Sequence, residues 1–147
     1  MLIRPATPAD TPAWERLRQT LWPAPAGEHA REIAAWLAGE RLLPGETFLA
    51  CDDGGRAIGF AEASLRPVAE GCYSGRVTSL EGWYVEPAWR RRGVGSALVE
   101  AVAAWGRAEG STEMASDVVL DDLVSHAAHR ALGFAEVERA VHFRRDL

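Results

Sequence analysis

Cysteine is scarce in this chain. Only Cys51 and Cys72 occur among 147 residues. Neither lies in a CxxC pair or near a histidine at metal-ligand spacing, so no metal is expected. Two free thiols are the reading, since a domain of this size needs no disulfide. Long apolar runs are missing too. Met1 to Thr7 holds no stretch that could serve as a secretion signal, and later runs fall far short of a membrane span. A cytoplasmic protein with no membrane contact is the expectation. Positive charge is the minority: 16 Lys and Arg stand against 21 Asp and Glu, a net charge of −5. That balance, with a pI near 5.4, argues against nucleic acid as a partner and suits a cationic one. Internal repeats and low-complexity segments are absent.

What is present fits one soluble domain over residues 1–147, with 48% hydrophobic and 25% charged residues. Leu2 and Ile3 read as a short strand. Thr7-Pro8-Ala9-Asp10 reads as a helix start, with Trp14, Leu17 and Leu21 following at helical spacing. A second helix is predicted from Glu28 to about Ala38. Strands follow at Thr47–Cys51, Ala57–Leu65 and Val77–Val85, the first two joined by the turn Asp52-Asp53-Gly54-Gly55. Gly93 to Ala108 is the clearest helix, with Val94, Leu98, Val102 and Trp105 on one face. A strand over Glu113–Val119, a helix over Leu123–Leu132 and a last strand over Val137–Phe143 complete the order β, α, α, β, β, β, α, β, α, β. Antiparallel strands followed by alternating units imply an α/β fold with a mixed sheet and helices on both faces.

The most informative run is Val85-Glu86-Pro87-Ala88-Trp89-Arg90-Arg91-Arg92-Gly93-Val94-Gly95-Ser96. A strand ends, a basic glycine-containing loop follows, and a helix begins. Free backbone N–H groups and the helix dipole favour an anion there, glycine removes the Cβ that would hold a phosphate off, and Arg90, Arg91 and Arg92 add charge. No Gly-Lys-Ser/Thr follows, so it is not a Walker A loop. The third glycine of a dinucleotide fingerprint is missing as well.

Arg90-x-x-Gly93-x-Gly95 resembles the pyrophosphate loop of the GNAT acetyltransferases. The resemblance implies a GNAT fold whose central sheet splays at the acetyl-CoA site. It implies acetyl-CoA as co-substrate, with its pyrophosphate on Arg90 to Ser96. Trp83, Tyr84 and Val85 would line the pantetheine arm, and N–H groups around Tyr84 and Val85 would polarise the thioester. Ala128-His129-Arg130-Ala131-Leu132-Gly133-Phe134 is similar to the family's late helix. His129 stands where a tyrosine often protonates the departing thiolate. A histidine is able to supply that proton, or only to pack or cap. Asp122 stands where the family often has an asparagine touching CoA.

Acetyl transfer to an amine also needs acidic groups that hold an ammonium and take its proton. Glu81 before the pantetheine contact and Asp117 at the next strand's end are the candidates, and strand-end acids also cap helices. Leu21-Trp22-Pro23, Leu80-Glu81-Gly82, Met114-Ala115-Ser116-Asp117 and Leu132 to Arg139 resemble the short, dimeric aminoglycoside 6′-N-acetyltransferases. By that resemblance Trp22, Glu81, Asp117 and Glu138 contact the aminoglycoside. Asp117 is the favoured proton acceptor, and a homodimer is expected in which Glu138 can serve the partner's site. The subgroup's loop tyrosine is missing from Ser64 to Cys72, with Tyr73 the only nearby substitute. A polyamine or protein amine remains open as the acceptor. A non-catalytic acyl-CoA-binding module would keep the arginine and glycine loop but have no need of Glu81 and Asp117.

Overall fold

The computed structural model describes residues 1–147. Strand β1 (Leu2–Pro5) leads through a 3-10 turn (Pro8–Asp10) into helices α1 (Thr11–Leu21) and α2 (Glu28–Leu37). At the start of α1, Asp10 accepts from the Thr7 N–H at 2.8 Å and from its hydroxyl at 2.7 Å. The Arg4 guanidinium grips the same carboxylate with two bonds of 2.7 Å and holds it well below the usual carboxylate range. Strands β2 (Gly45–Cys51), β3 (Ala57–Arg66) and β4 (Val77–Val85) follow. A second 3-10 turn (Pro87–Trp89) precedes helix α3 (Val94–Ala108), strand β5 (Glu113–Ser116) and helix α4 (Leu123–Ala131).

The five strands form one sheet in chain order, β1 to β4 antiparallel and β5 parallel to β4. Alternating side chains of β2 serve opposite faces. Leu49 and Cys51 join Trp14, Leu17 and Ile33 under α1 and α2, while Phe48 and Ala50 join Val94, Leu98, Val99 and Val102 under α3. Each fully buried aliphatic side chain in these clusters contributes about 1.5–3 kcal/mol. Cys51 and Cys72 are both free thiols.

Two irregularities of β4 position the site. Glu62 pairs with Gly82 and Ala63 with Leu80, which leaves Glu81 as an extra, bulged residue. In addition, β5 pairs with β4 only from Val77–Glu113 to Leu80–Ser116, so Glu81 to Val85 have no neighbour on that side. The sheet is split there.

The chain departs from the sequence reading at its end. Residues 134–147 form no strand, and Val137, Val141 and Phe143 are exposed. Their alternation describes a strand with one apolar face, but an apolar face does not specify which edge to pair with, and no edge of this sheet takes the segment. It is tied down by Glu136, which pairs with Arg130 at 3.0 Å and Arg139 at 2.5 Å. Strand β5 also stops at Ser116, short of the expected Val119.

Candidate active site

At the start of α3 the backbone supplies the chemistry. Gly93 is the N-cap residue at φ 81°, in the left-handed region that glycine enters freely. Arg91 two residues earlier also has a positive φ, 55°. The first helical bond is Ala97 N–H to Gly93 O at 2.9 Å. The N–H groups of Val94, Gly95 and Ser96 therefore emerge unpaired at the positive end of a 15-residue helix. Arg91 and Arg92 are exposed beside them, Arg92 lying 5.5 Å from the Trp89 ring centroid.

Two of the expected phosphate-loop residues also have structural duties. Arg90 turns back and donates from Nε to Val85 O at 2.9 Å, with its guanidinium 5.7 Å from the Tyr84 ring centroid, so it clamps the end of β4. Gly95 makes room for an indole: an ideal Cβ there would fall 2.6 Å from Trp83 Cζ2. Trp83 thus packs against the first turn of α3, its own indole N–H buried without a partner. Val94 is buried and offers only its backbone.

Along the split, the direction of each amide follows from alternation. Glu86 N–H bonds Ile58 O of β3 at 2.9 Å. Tyr84, two residues back, faces β3 as well, so the N–H groups of Trp83 and Val85 point into the open side. The sequence reading centred the polarising donors on Tyr84 and Val85. Of the amides around that pair, those of Val85 and Trp83 face the open side and that of Tyr84 faces β3.

Across from this edge lies the acidic end. The bulge turns Glu81 toward the strand β3 terminus, where Arg66 grips it from Nε at 2.8 Å and from Nη2 at 2.7 Å, and Ser64 Oγ donates to the same carboxylate. Burial pushes the Glu81 carboxyl up, but the hydrogen bonds from Arg66, Ser64 and Ser79 outweigh it and hold it below the ordinary carboxylate range. Glu81 is therefore a paired anion. Asp117 stands exposed just beyond β5, and its field, with that of Glu70, reaches Arg66. Only Glu81 of the three contacts the guanidinium, so the other two acids keep their charge unpaired. Trp22, the residue closing α1, lays its ring edge on Gly82, where an ideal Cβ would fall 2.1 Å from Trp22 Cη2. Glu138 is exposed on the unpaired C-terminal segment, without an ion pair. Tyr73 is also fully exposed. Its N–H and that of Ser74 are held by Glu113, at 3.0 and 2.6 Å, and its ring makes no packing contact with the site.

His129 sits between Trp83 and Phe134, with ring centroids 5.7 and 5.2 Å away. Its Nδ1 lies 2.8 Å from Ser125 O, which only accepts, so this nitrogen carries a proton. Its Nε2 lies 2.9 Å from Ser116 Oγ, and that hydroxyl is 3.3 Å from Leu80 O. Ser116 can donate to a neutral ring, or accept from an imidazolium while donating to Leu80 O, so both protonation states are satisfied. Asp122 is a cap: its carboxylate accepts from Ser125 N–H at 2.9 Å.

A split sheet beside an N–H-rich helix start can take a pantetheine arm and a diphosphate, and comparison with known proteins agrees. The sequence model of the Acetyltransferase (GNAT) family matches residues 11–134. The chain belongs to the GNAT acetyltransferase family. Among its relatives is an aminoglycoside N(6′)-acetyltransferase type 1 of Klebsiella aerogenes, 48% identical over 99% of this chain and 97% of that protein. The crystal structure of an aminoglycoside 6′-N-acetyltransferase from Acinetobacter haemolyticus superposes with a TM-score of 0.92 at 38% identity, covering 100% of this chain and 99% of that one. AAC(6′)-Iy in complex with the bisubstrate analogue CoA-S-monomethyl-acetylneamine gives a TM-score of 0.90 at 38% identity, over 99% and 98% of the two chains.

In this GNAT chain no three His, Cys, Asp or Glu side chains gather to hold a metal ion, and no helix is long and apolar enough to cross a membrane. Sequence reasoning missed Arg66 and Ser116. The signal for Arg66 was weak but present: a lone arginine at the end of a strand whose antiparallel neighbour carries the expected catalytic glutamate. Ser116 left no signal, because its role depends on α4 packing over β5.

Proposed function

We propose that this GNAT enzyme transfers acetyl from acetyl-CoA to the 6′-amino group of an aminoglycoside, working as a homodimer in the cytoplasm. One observation carries the proposal: Glu81 is paired with Arg66 at the split of the sheet, while Asp117 and Glu70, whose charges act on the same guanidinium from further off, have no ion pair of their own. Such a rim leaves net negative charge for a ligand bearing several ammonium groups. The full-length likeness to enzymes named for this acceptor supports the same reading.

The diphosphate of acetyl-CoA rests on the N–H groups of Val94 to Ser96, with Arg91 and Arg92 supplying charge. The pantetheine arm runs along the free edge of β4 and brings the thioester to Trp83 and Val85, whose N–H groups stabilise the developing oxyanion. Asp117, exposed and free of any ion pair, accepts the proton the amine must lose. The neutral nitrogen attacks the carbonyl carbon, the C–N bond forms, and collapse of the tetrahedral intermediate breaks the C–S bond. His129 stands by the departing thiolate and returns a proton to sulfur, with Ser116 satisfying the ring before and after. Glu81 holds an ammonium of the acceptor and, paired with Arg66, remains ionised throughout. Trp22 forms an apolar wall against the sugar ring.

Exposed Val137, Val141 and Phe143 support the homodimer, since they give the C-terminal segment an apolar face for a second copy and would carry Glu138 to the partner's cleft. Acetyl-CoA is an intracellular metabolite, which supports the cytoplasm as the place of action. A thiol-release assay with acetyl-CoA against kanamycin, tobramycin, spermidine and a peptide panel tests the proposal, with mass spectrometry locating the acetyl group. Turnover is expected with kanamycin and tobramycin, at the 6′ nitrogen. Preference for spermidine or a peptide would reassign the acceptor, and absence of any coenzyme A binding by calorimetry would remove the enzyme reading.

A further inference from the structure

Beneath Trp22 lies a cluster of charged groups that the reaction does not use. Arg18, largely buried on α1, lies between two carboxylates: its Nη2 is 2.8 Å from Glu32 Oε2 and its Nε is 3.2 Å from Glu62 Oε1. Trp14 Nε1 donates to Glu62 at 2.6 Å. Burial pushes the Glu62 carboxyl up, and Arg18 and Trp14 oppose the shift. Ion networks of this kind rarely stabilise a protein more than well-packed apolar residues of the same volume. Their reason is better sought in what they hold.

Both cationic-type members of the cluster touch Trp22. The Arg18 guanidinium lies 5.4 Å from its ring centroid. His29, buried in the first turn of α2, lies with Nε2 2.7 Å from Trp22 O. A carbonyl only accepts, so Nε2 is the donor. The other nitrogen, Nδ1, is buried without a hydrogen-bond partner, 3.7 Å from Glu32 Oε2. The single hydrogen bond of this buried histidine therefore goes to the backbone of Trp22. Trp22 keeps one helical bond, from its N–H to Arg18 O at 2.7 Å, but it has left the helix at φ −129° and ψ 86°, and the loop that follows, with Pro23 and Pro25, offers no regular structure to hold its carbonyl.

We infer that Arg18 and His29 are positioning residues that hold Trp22 against Gly82 and so shape the acceptor side of the cleft. Glu32 and Glu62 act one step further back, by fixing the guanidinium plane. The inference rests on the proposed role of Trp22 as a wall for the acceptor. It adds that the wall is kept in place by a buried lattice reaching from α2 through α1 to the residue paired with Gly82 across the bulge.

Steady-state kinetics on full-length variants, each first shown to be folded by its thermal transition, test this. His29→Ala is expected to raise the KM for kanamycin roughly three- to tenfold, the scale of one lost hydrogen bond, with the KM for acetyl-CoA and kcat within about twofold. His29→Gln, which keeps a donor near the Nε2 position, should restore most of the loss. Arg18→Lys keeps the charge but not the flat stacking surface and should raise the same KM. In a Trp22→Ala background the effect of His29→Ala should vanish, because the two act through one contact. An equal effect of His29→Ala in both backgrounds, an equal rise in both KM values, or a kanamycin KM unchanged in both His29→Ala and Arg18→Lys would overturn the inference. If Trp22→Ala alone leaves the kanamycin KM untouched, the premise and the inference fall together while acetyl transfer itself stands. Should His29→Ala not fold, His29→Gln and Arg18→Lys decide alone: Arg18→Lys at the wild-type kanamycin KM overturns it.

Discussion

Where the cleft meets α3, its surface is backbone: three unpaired N–H groups, a glycine in the left-handed region, and two strand amides with no neighbour. Where it meets the bulge of β4, the surface is side chain: Glu81 gripped by Arg66, Asp117 free, Trp22 laid on Gly82. The first kind of surface suits any ligand built on a diphosphate and tolerates change in most side chains around it. The second kind is set by individual side chains and turns on a few ångströms. The donor end should therefore break through backbone geometry and the acceptor end through charge.

The largest expected effect separates the two most cleanly. Asp117→Ala should lower turnover by roughly 10²–10⁴, the usual span for losing a general base, while acetyl-CoA affinity by calorimetry stays near wild type. Full activity across the pH range in that variant would take the proton acceptor away from this residue. Gly93→Val should act at the other end. Its left-handed φ costs an L-residue about 1–2 kcal/mol, and distortion of the N–H cradle should raise the acetyl-CoA KM roughly tenfold, leaving the acceptor KM close to its original value. Equal rises in both constants would dissolve the division of the cleft into two ends.

The smallest effect is one of stability. Glu81 has its folded pKa below the unfolded one, so its contribution is present above the ordinary carboxylate value and is lost as pH falls through the lowered folded value. Its partner Arg66 is substantially exposed, so solvent screens the pair and the effect should be modest. Thermal unfolding of the wild type and Glu81→Gln should converge as pH drops below about 4.3. Parallel curves through that window would mean the Arg66 pair contributes nothing to folding.

Most of the donor end was legible from the residues, because a strand, an arginine and glycine loop and a helix form a local pattern. Gly93 announced its own conformation, and α3 its apolar face. Even there, the loop pattern did not reveal that Gly95 also makes room for Trp83 and that Arg90 also clamps Val85. The acceptor end was harder to read. Glu81 and Asp117 were visible as acids near strand ends, yet a bulge is a mismatch between two strands distant in sequence, and one strand alone does not reveal it. Arg66 as the partner of Glu81, Ser116 beneath His129 and the Arg18 cluster all come from contacts between elements. The final segment failed for the same reason: Val137 to Phe143 has a strand's alternation, but the edge it would pair with is not written in it.

The free rim of β4 has a consequence for the protein between catalytic cycles. Unpaired strand edges invite other chains to add on, and proteins blunt them by shortness, bulges, charge and proline. This one is five residues long, from Glu81 to Val85. It begins at a bulged acid and ends at Glu86 and Pro87, with Arg90 folded back over its last carbonyl. The enzyme can thus wait in solution with part of its sheet unfinished and still resist clumping, guarded by the same kink that turns Glu81 toward Arg66.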